Sequence, residues 1–171
     1  MMRCLRLFCA VAAALMLAGC AGYRLGPTNG VVAGTRSVRI TPFVNKTLEP
    51  RLIEYTMISL RKNLQRDGTY RLETQEGGDI ILSGVITAYQ RAQLSVQPAD
   101  ALTVLDYEIT MTALVTASER STGKVIFSRP VKGRTSLRVG SDLTSAERQA
   151  IPLLTDDLAK KTMVLLVDGT W

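Results

Sequence analysis

Lys124, Lys132, Arg134 and Arg138 fall on even positions in and beside one segment, residues 125–139. The odd positions of that segment carry Val125, Phe127, Val131, Leu137 and Val139. A period of two puts the apolar set on one side of a strand and the cations on the other. Ammonium and guanidinium groups in such a row can do one kind of chemistry, the charge-assisted binding of phosphates and other anions, for which the arginine fork is well matched. Arg91, near the end of an earlier strand-like run, extends the row. The competing reading is cross-strand ion pairing. If residues 104–116 and 125–139 form a hairpin, Arg134 or Lys132 faces Glu108 or Asp106, and exposed pairs of that kind add little stability. Two carboxylates cannot neutralise four cations, so the excess leaves anion binding open.

Little else in the chain is chemically equipped. It contains no histidine, which removes the commonest general base and the commonest metal ligand together. No nucleophile elbow, phosphate-cradling loop or dinucleotide fingerprint is present, and no set of carboxylates has ligand spacing. Asp106 with Glu108, and Asp156 beside Asp157, read as solvated surface pairs. The chain therefore reads as a binding protein and not an enzyme, with no metal and no cofactor.

The three cysteines are Cys4, Cys9 and Cys20. Arg3 and Arg6 precede an apolar run over residues 7–17, which is the pattern of a secretory signal and too short for a membrane span of about 20 apolar residues. Leu17-Ala18-Gly19-Cys20 resembles the lipobox of bacterial lipoproteins, in which the thiol takes a diacylglycerol and cleavage leaves the cysteine as residue one. The resemblance implies a lipid-anchored protein, and several acyl chains together hold a protein on a membrane where one alone is marginal. Ala21 stands where an aspartate would signal retention, so the resemblance implies transport to the outer membrane. Two cysteines then leave with the signal and the third is acylated, so no disulfide forms in the mature chain. Removal of residues 1–19 takes Arg3 and Arg6 from 21 basic residues against 15 acidic ones, leaving a net charge of +4 on residues 20–171. That excess suits an anionic partner. Nucleic acid is disfavoured by the anchor and by the lack of aromatic stacking platforms on the cationic face.

These residues need elements to hold them. Residues 20–36 are rich in Gly, Ala and small polar residues and read as a tether. A strand over 37–43 leads through Asn45-Lys46-Thr47 and Pro50 to a helix within 48–67, in which Ile53, Met57, Leu60 and Leu64 recur at helical spacing. Strands follow over 70–74, 79–89, 104–116 and 125–139. In the third, Leu105, Tyr107, Ile109, Met111, Ala113 and Val115 share a face opposite Asp106, Glu108, Thr110 and Thr112. A last helix begins at Thr144, where Thr144-Ser145-Ala146-Glu147 matches a capping box, and runs to about 167. The order predicts one α+β domain over 37–171, with two helices packed on one face of a four- to five-stranded, mostly antiparallel sheet.

The segments "GCAGYRLGP", "VRITPFVNKTLEPRLIEYTMISLRKNLQRDGTYRL", "DIILSGVITAYQR", "VLDYEITMTALVTA", "TGKVIFSRPVKGR" and "DLTSAERQAIPLLTDDLAKKTM" together resemble the lipopolysaccharide-assembly lipoproteins related to LptE. The resemblance spans nearly all of the mature chain and rests on pattern and element order. It implies an outer-membrane lipoprotein, facing the periplasm or within a barrel lumen, that plugs an LptD-like β-barrel translocon subunit and binds lipopolysaccharide. The stripe Arg91, Lys124, Lys132, Arg134 and Arg138 as a site for lipopolysaccharide phosphates is read from the residues, not from the family. An envelope lipoprotein that binds peptidoglycan or another secretion machine would share the anchor and the fold.

Overall fold

Twenty consecutive residues, Asp100–Glu119, form the longest strand of the sheet (β5), longer at both ends than the sequence alternation marks. The computed structural model describes residues 32–97, 100–139 and 142–168. The signal segment, Cys20 and most of the tether lie outside the described residues. β5 pairs antiparallel with β4 (Ile80–Gln97) on one side and with β6 (Val125–Arg138) on the other. β1 (Ser37–Ile40) lies parallel to β4 and to β3 (Arg71–Glu73), and β2 (Val44–Asn45) pairs parallel with β4 further along. The strand order is β3-β1-β4-β5-β6, in an open sheet of six strands. The long strands are antiparallel, as the sequence predicts. The segment read as one strand over 37–43 is strand only over Ser37–Ile40, and the sixth strand, β2, lies just beyond it at Val44–Asn45.

Helix α1 (Leu52–Asp67) and helix α2 (Leu143–Asp168) cover one face of this sheet. Ile109, Met111, Ala113, Val115 and Ala117 of β5 are fully buried beneath them, with Leu52, Leu60 and Leu64 of α1 and Leu154, Leu158 and Leu166 of α2. Fully burying each leucine contributes about 2 kcal/mol. The helices run side by side in the same direction. Ser59 Oγ and Thr155 Oγ1 are 3.0 Å apart, Asn63 Nδ2 donates to Asp156 Oδ1 at 2.8 Å, and Tyr70 OH donates to the Leu166 carbonyl at 3.4 Å.

Two helix starts differ from the sequence reading. α1 begins at Leu52, after Pro50, because the Asn45 side chain organises the preceding turn: it accepts from the Thr47 amide at 2.9 Å and donates to the Glu49 carbonyl at 2.7 Å. α2 is capped by Asp142, not by the Thr144–Glu147 box. Its carboxylate accepts from the Thr144 amide at 3.0 Å and the Ser145 amide at 2.9 Å, satisfying two of the orphan donors of the first turn. The Ser145 hydroxyl, then its amide, hold the Asp142 carboxyl below the usual carboxylate range.

Helix α2 comes close to the sheet at Gly133 of β6. A Cβ placed there would lie 2.7 Å from the Leu154 carbonyl oxygen and 2.9 Å from Leu158 Cβ. Only glycine lets the α2 backbone come this near. Two side chains of α2 use the proximity to grip the outer edge of β6. Asp157 Oδ2 accepts from the Arg134 amide at 2.8 Å, and Lys161 Nζ donates to the Lys132 carbonyl at 3.0 Å and to Asp157 at 2.7 Å. Burial pushes the Asp157 carboxyl up, but Lys161 and the Arg134 amide outweigh it and leave it below the usual range.

Candidate anion-binding face

Both helices lie on one side of the sheet, which leaves the other side of β4, β5 and β6 uncovered. The strand register places Lys132 opposite Thr112, Arg134 opposite Thr110 and Arg138 opposite Asp106. All three cations are exposed, on the face away from buried Phe127, Val131 and Leu137, as the alternation predicts. Alternate residues of a strand are about 6.6 Å apart, so the Lys132–Arg134 pair is close enough for both heads to reach one phosphate. Threonine and serine hydroxyls surround them, including Thr110, Thr112 and Ser136.

Arg138 is already engaged. Its Nε lies 2.9 Å from Asp106 Oδ1, and Ser95 Oγ donates to Asp106 Oδ2 at 2.5 Å. Arg138, then Ser95, hold the Asp106 carboxyl below its ordinary range, and the guanidinium is raised in turn. The sequence reading paired this carboxylate with Arg134 or Lys132. The observed register instead sets Glu108 opposite Ser136 and Asp106 opposite Arg138. Neither Lys132 nor Arg134 takes part in an ion pair among the described residues. Their main-chain groups, by contrast, are fixed by Asp157 and Lys161. The result is a pair of cations outside any ion pair on a clamped backbone, with Arg134 near enough to Asp157 for its charge to help lower that carboxyl.

The other two residues of the expected stripe do not join this pair. Lys124 sits in the turn before β6, where its carbonyl accepts from the Glu119 amide at 2.8 Å. Eight residues of strand, about 26 Å, separate it from Lys132. Arg91 faces the helices. β4 takes in one extra residue, Thr87, between the pairs Ile86↔Ala113 and Ala88↔Thr112. That bulge reverses the alternation, so Tyr89 pairs with Met111 and Arg91 with Ile109 on the core side. There Arg91 Nε lies 3.0 Å from Glu147 Oε1, which also accepts from the Tyr89 hydroxyl at 3.0 Å. Burial and then the bond to Glu147 push the Tyr89 hydroxyl well above its ordinary range.

Sequence reasoning missed Gly133, Asp157 and Lys161, which hold the site without forming part of it. Nothing in their spacing marks them, because their contacts run between a strand edge and a helix 23 to 29 residues later. Among the described residues no group of three or more His, Cys, Asp or Glu side chains is placed to hold a metal ion. No described helix is long and apolar enough to cross a membrane.

The family model described as "LptE: Lipopolysaccharide-assembly" matches residues 35–163. No match was found among curated protein sequences. Several solved structures share the fold at low identity. A DUF330 protein from Xanthomonas campestris superposes with a TM-score of 0.60 at 11% identity, over 85% of this chain and 91% of that one. Protein CT253 from Chlamydia trachomatis gives 0.58 at 11% identity, over 81% and 98%. A minor lipoprotein from Acinetobacter baumannii gives 0.52 at 11% identity, over 78% and 94%.

Proposed function

The chain belongs to the LptE family of lipopolysaccharide-assembly proteins, and from this membership we propose that it seats in the lumen of an outer-membrane β-barrel and binds lipopolysaccharide phosphates through Lys132 and Arg134. The observation that carries the ligand side of this reading is the pair of exposed cations, in no ion pair among the described residues, on the uncovered sheet face. A lipid A phosphate offers the direct ionic partner that neither side chain has among the described residues, and a bidentate arginine contact to it is both stronger and more directional than a neutral hydrogen bond. Arg138 borders the pair, with Asp106 holding its fork. Lys124 and Arg91 stand apart, at the hairpin turn and on the helix side.

Cys20 is the proposed acylation site, and Ala21 after it favours the outer membrane. Cys20→Ala is expected to abolish incorporation of a labelled fatty acid, because only the thiol can take the diacylglycerol. Label retained by the variant would contradict the assignment.

The barrel is the partner that membership implies. The tagged full chain, extracted from membranes in mild detergent, is expected to bring down one β-barrel protein in one-to-one ratio. A plug touches much of the barrel wall, so the contact should exceed the roughly 1,600 Å² of a standard interface and survive washing. Recovery of peptidoglycan or of another envelope machine in its place would assign the protein to a different role.

A further inference from the structure

Ladder partners in neighbouring strands turn their side chains to the same face of a sheet, so the register picks out rows that cross the uncovered face from strand to strand. One such row joins Val44 of β2, Val85 of β4, Leu114 of β5 and Pro130 of β6. Their chain neighbours Phe43, Ile86, Val115 and Val131 are buried on the helix side, which turns the row itself to the open face. Val44 is 55% exposed there and Leu114 41%.

The rows on either side are polar. On one side Ser83, Thr116 and Ser128 follow one another, with Thr116 Oγ1 2.9 Å from Ser128 Oγ. On the other lie Thr112 with Lys132, and beyond them Thr110 with Arg134. The apolar row is therefore one residue wide and about 14 Å long, since it crosses three strand spacings of about 4.8 Å. At β6 it ends on Pro130, two positions and about 6.6 Å from Lys132.

These dimensions select the occupant. An amphipathic helix lays down an apolar stripe wider than one row, and its flanks would meet hydroxyls on one side and cations on the other. Four partly exposed side chains also present far less than the roughly 800 Å² that each partner of a standard protein interface buries. A single extended hydrocarbon chain matches the row in width and length, and the cations beside it call for an anion at its head. We propose that Val44, Val85, Leu114 and Pro130 form the bed for one acyl chain of the lipid whose phosphate sits on Lys132 and Arg134. The proposal rests on the phosphate reading above. It adds where the apolar part of the ligand lies and the direction it takes, from β6 across to β2.

The test titrates the tagged full chain, as wild type and as the double variant Val85→Thr, Leu114→Thr. Each is titrated with intact lipopolysaccharide and with lipopolysaccharide whose acyl chains have been removed by alkali and whose phosphates remain. Threonine already occupies positions 110, 112 and 116 of the same face, so the thermal midpoint should hold. The proposal expects the double variant to bind intact lipid about tenfold or more weakly, the loss that partial burial of two apolar side chains would account for, and to bind deacylated lipid as the wild type does. Unchanged affinity for intact lipid leaves the row to the barrel wall, a second copy or the protein's own anchor, and overturns the proposal. An equal loss on both lipids overturns it too. Where threonine lowers the midpoint, Val44→Gln decides, from an exposed position on a two-residue strand. It is expected to weaken binding of intact lipid alone, and undiminished affinity overturns the proposal. A wild type indifferent to removal of the lipid A phosphates overturns the phosphate reading and the acyl bed together. Phosphate dependence with no effect of the row variants overturns the acyl bed alone.

Discussion

Replacing Gly133 by valine is expected to lower the stability of the domain by about 3 kcal/mol, through loss of the contact between α2 and the edge of the sheet. The reason lies in what the new side chain would meet. Its Cβ would stand 2.7 Å from the Leu154 carbonyl oxygen, 2.9 Å from Leu158 Cβ and 3.1 Å from the Leu158 amide nitrogen. These are backbone atoms and the first side-chain carbon of a helix, and none can rotate out of the way. The helix itself has to lift. Lifting it exposes Leu154 and Leu158, both fully buried, and breaks the grip of Asp157 and Lys161 on the strand. In a chain of this size each kcal/mol moves the thermal midpoint by about 2–4 °C, so the loss should appear as a fall of roughly 6–12 °C. Gly133→Ala should fall between the wild type and valine. A valine variant that melts within about 2 °C of the wild type would show that α2 does not rest on β6 at this point.

The sheet and its helices were legible wherever one buried face imposed a long period. Ile109, Met111, Ala113 and Val115 alternate without interruption, and Met57, Leu60 and Leu64 recur at helical spacing, because each element buries one side against the same core. The cationic face was legible for the same reason, since the exposed side of β6 follows from its buried one. What the sequence did not disclose depends on single residues or on distant contacts. The bulge at Thr87 inserts a β-branched residue that is itself a good strand former, so no break marks the place where Arg91 changes sides. The β5–β6 register is set by the geometry of the turn and by the shift between Ala117 and Ser118. Arg138 therefore takes Asp106, where composition alone offered Arg134 or Lys132 equally. At the start of α2, Asp142 and Thr144 are both competent caps two residues apart. Asp142 prevails because its two oxygens reach two amides, while Glu147, the far half of the expected box, is drawn to Tyr89 and Arg91.

The claim that Lys132 and Arg134 form the lipopolysaccharide-binding pair stands most directly on a titration with the double variant Lys132→Ser, Arg134→Ser. Both side chains are exposed, so their removal opens no cavity. The contacts that secure this part of β6 run through the Arg134 amide and the Lys132 carbonyl, which the variant keeps. The thermal midpoint should therefore stay near that of the wild type. Losing a charge-assisted hydrogen bond to a phosphate weakens binding by about 1.5–3 kcal/mol, and each 1.4 kcal/mol is tenfold in affinity. Two such losses amount to roughly 100-fold or more. Arg138→Ser should weaken binding less, because Asp106 already holds that guanidinium. The measurement is the affinity of the wild type and of the double variant for lipopolysaccharide, repeated with lipid stripped of its lipid A phosphates. The account predicts a loss of roughly 100-fold for the variant on intact lipid, and weak, nearly equal binding of both proteins to the dephosphorylated lipid. An unchanged affinity for intact lipid in the double variant, or wild-type binding that ignores the phosphates, would contradict it.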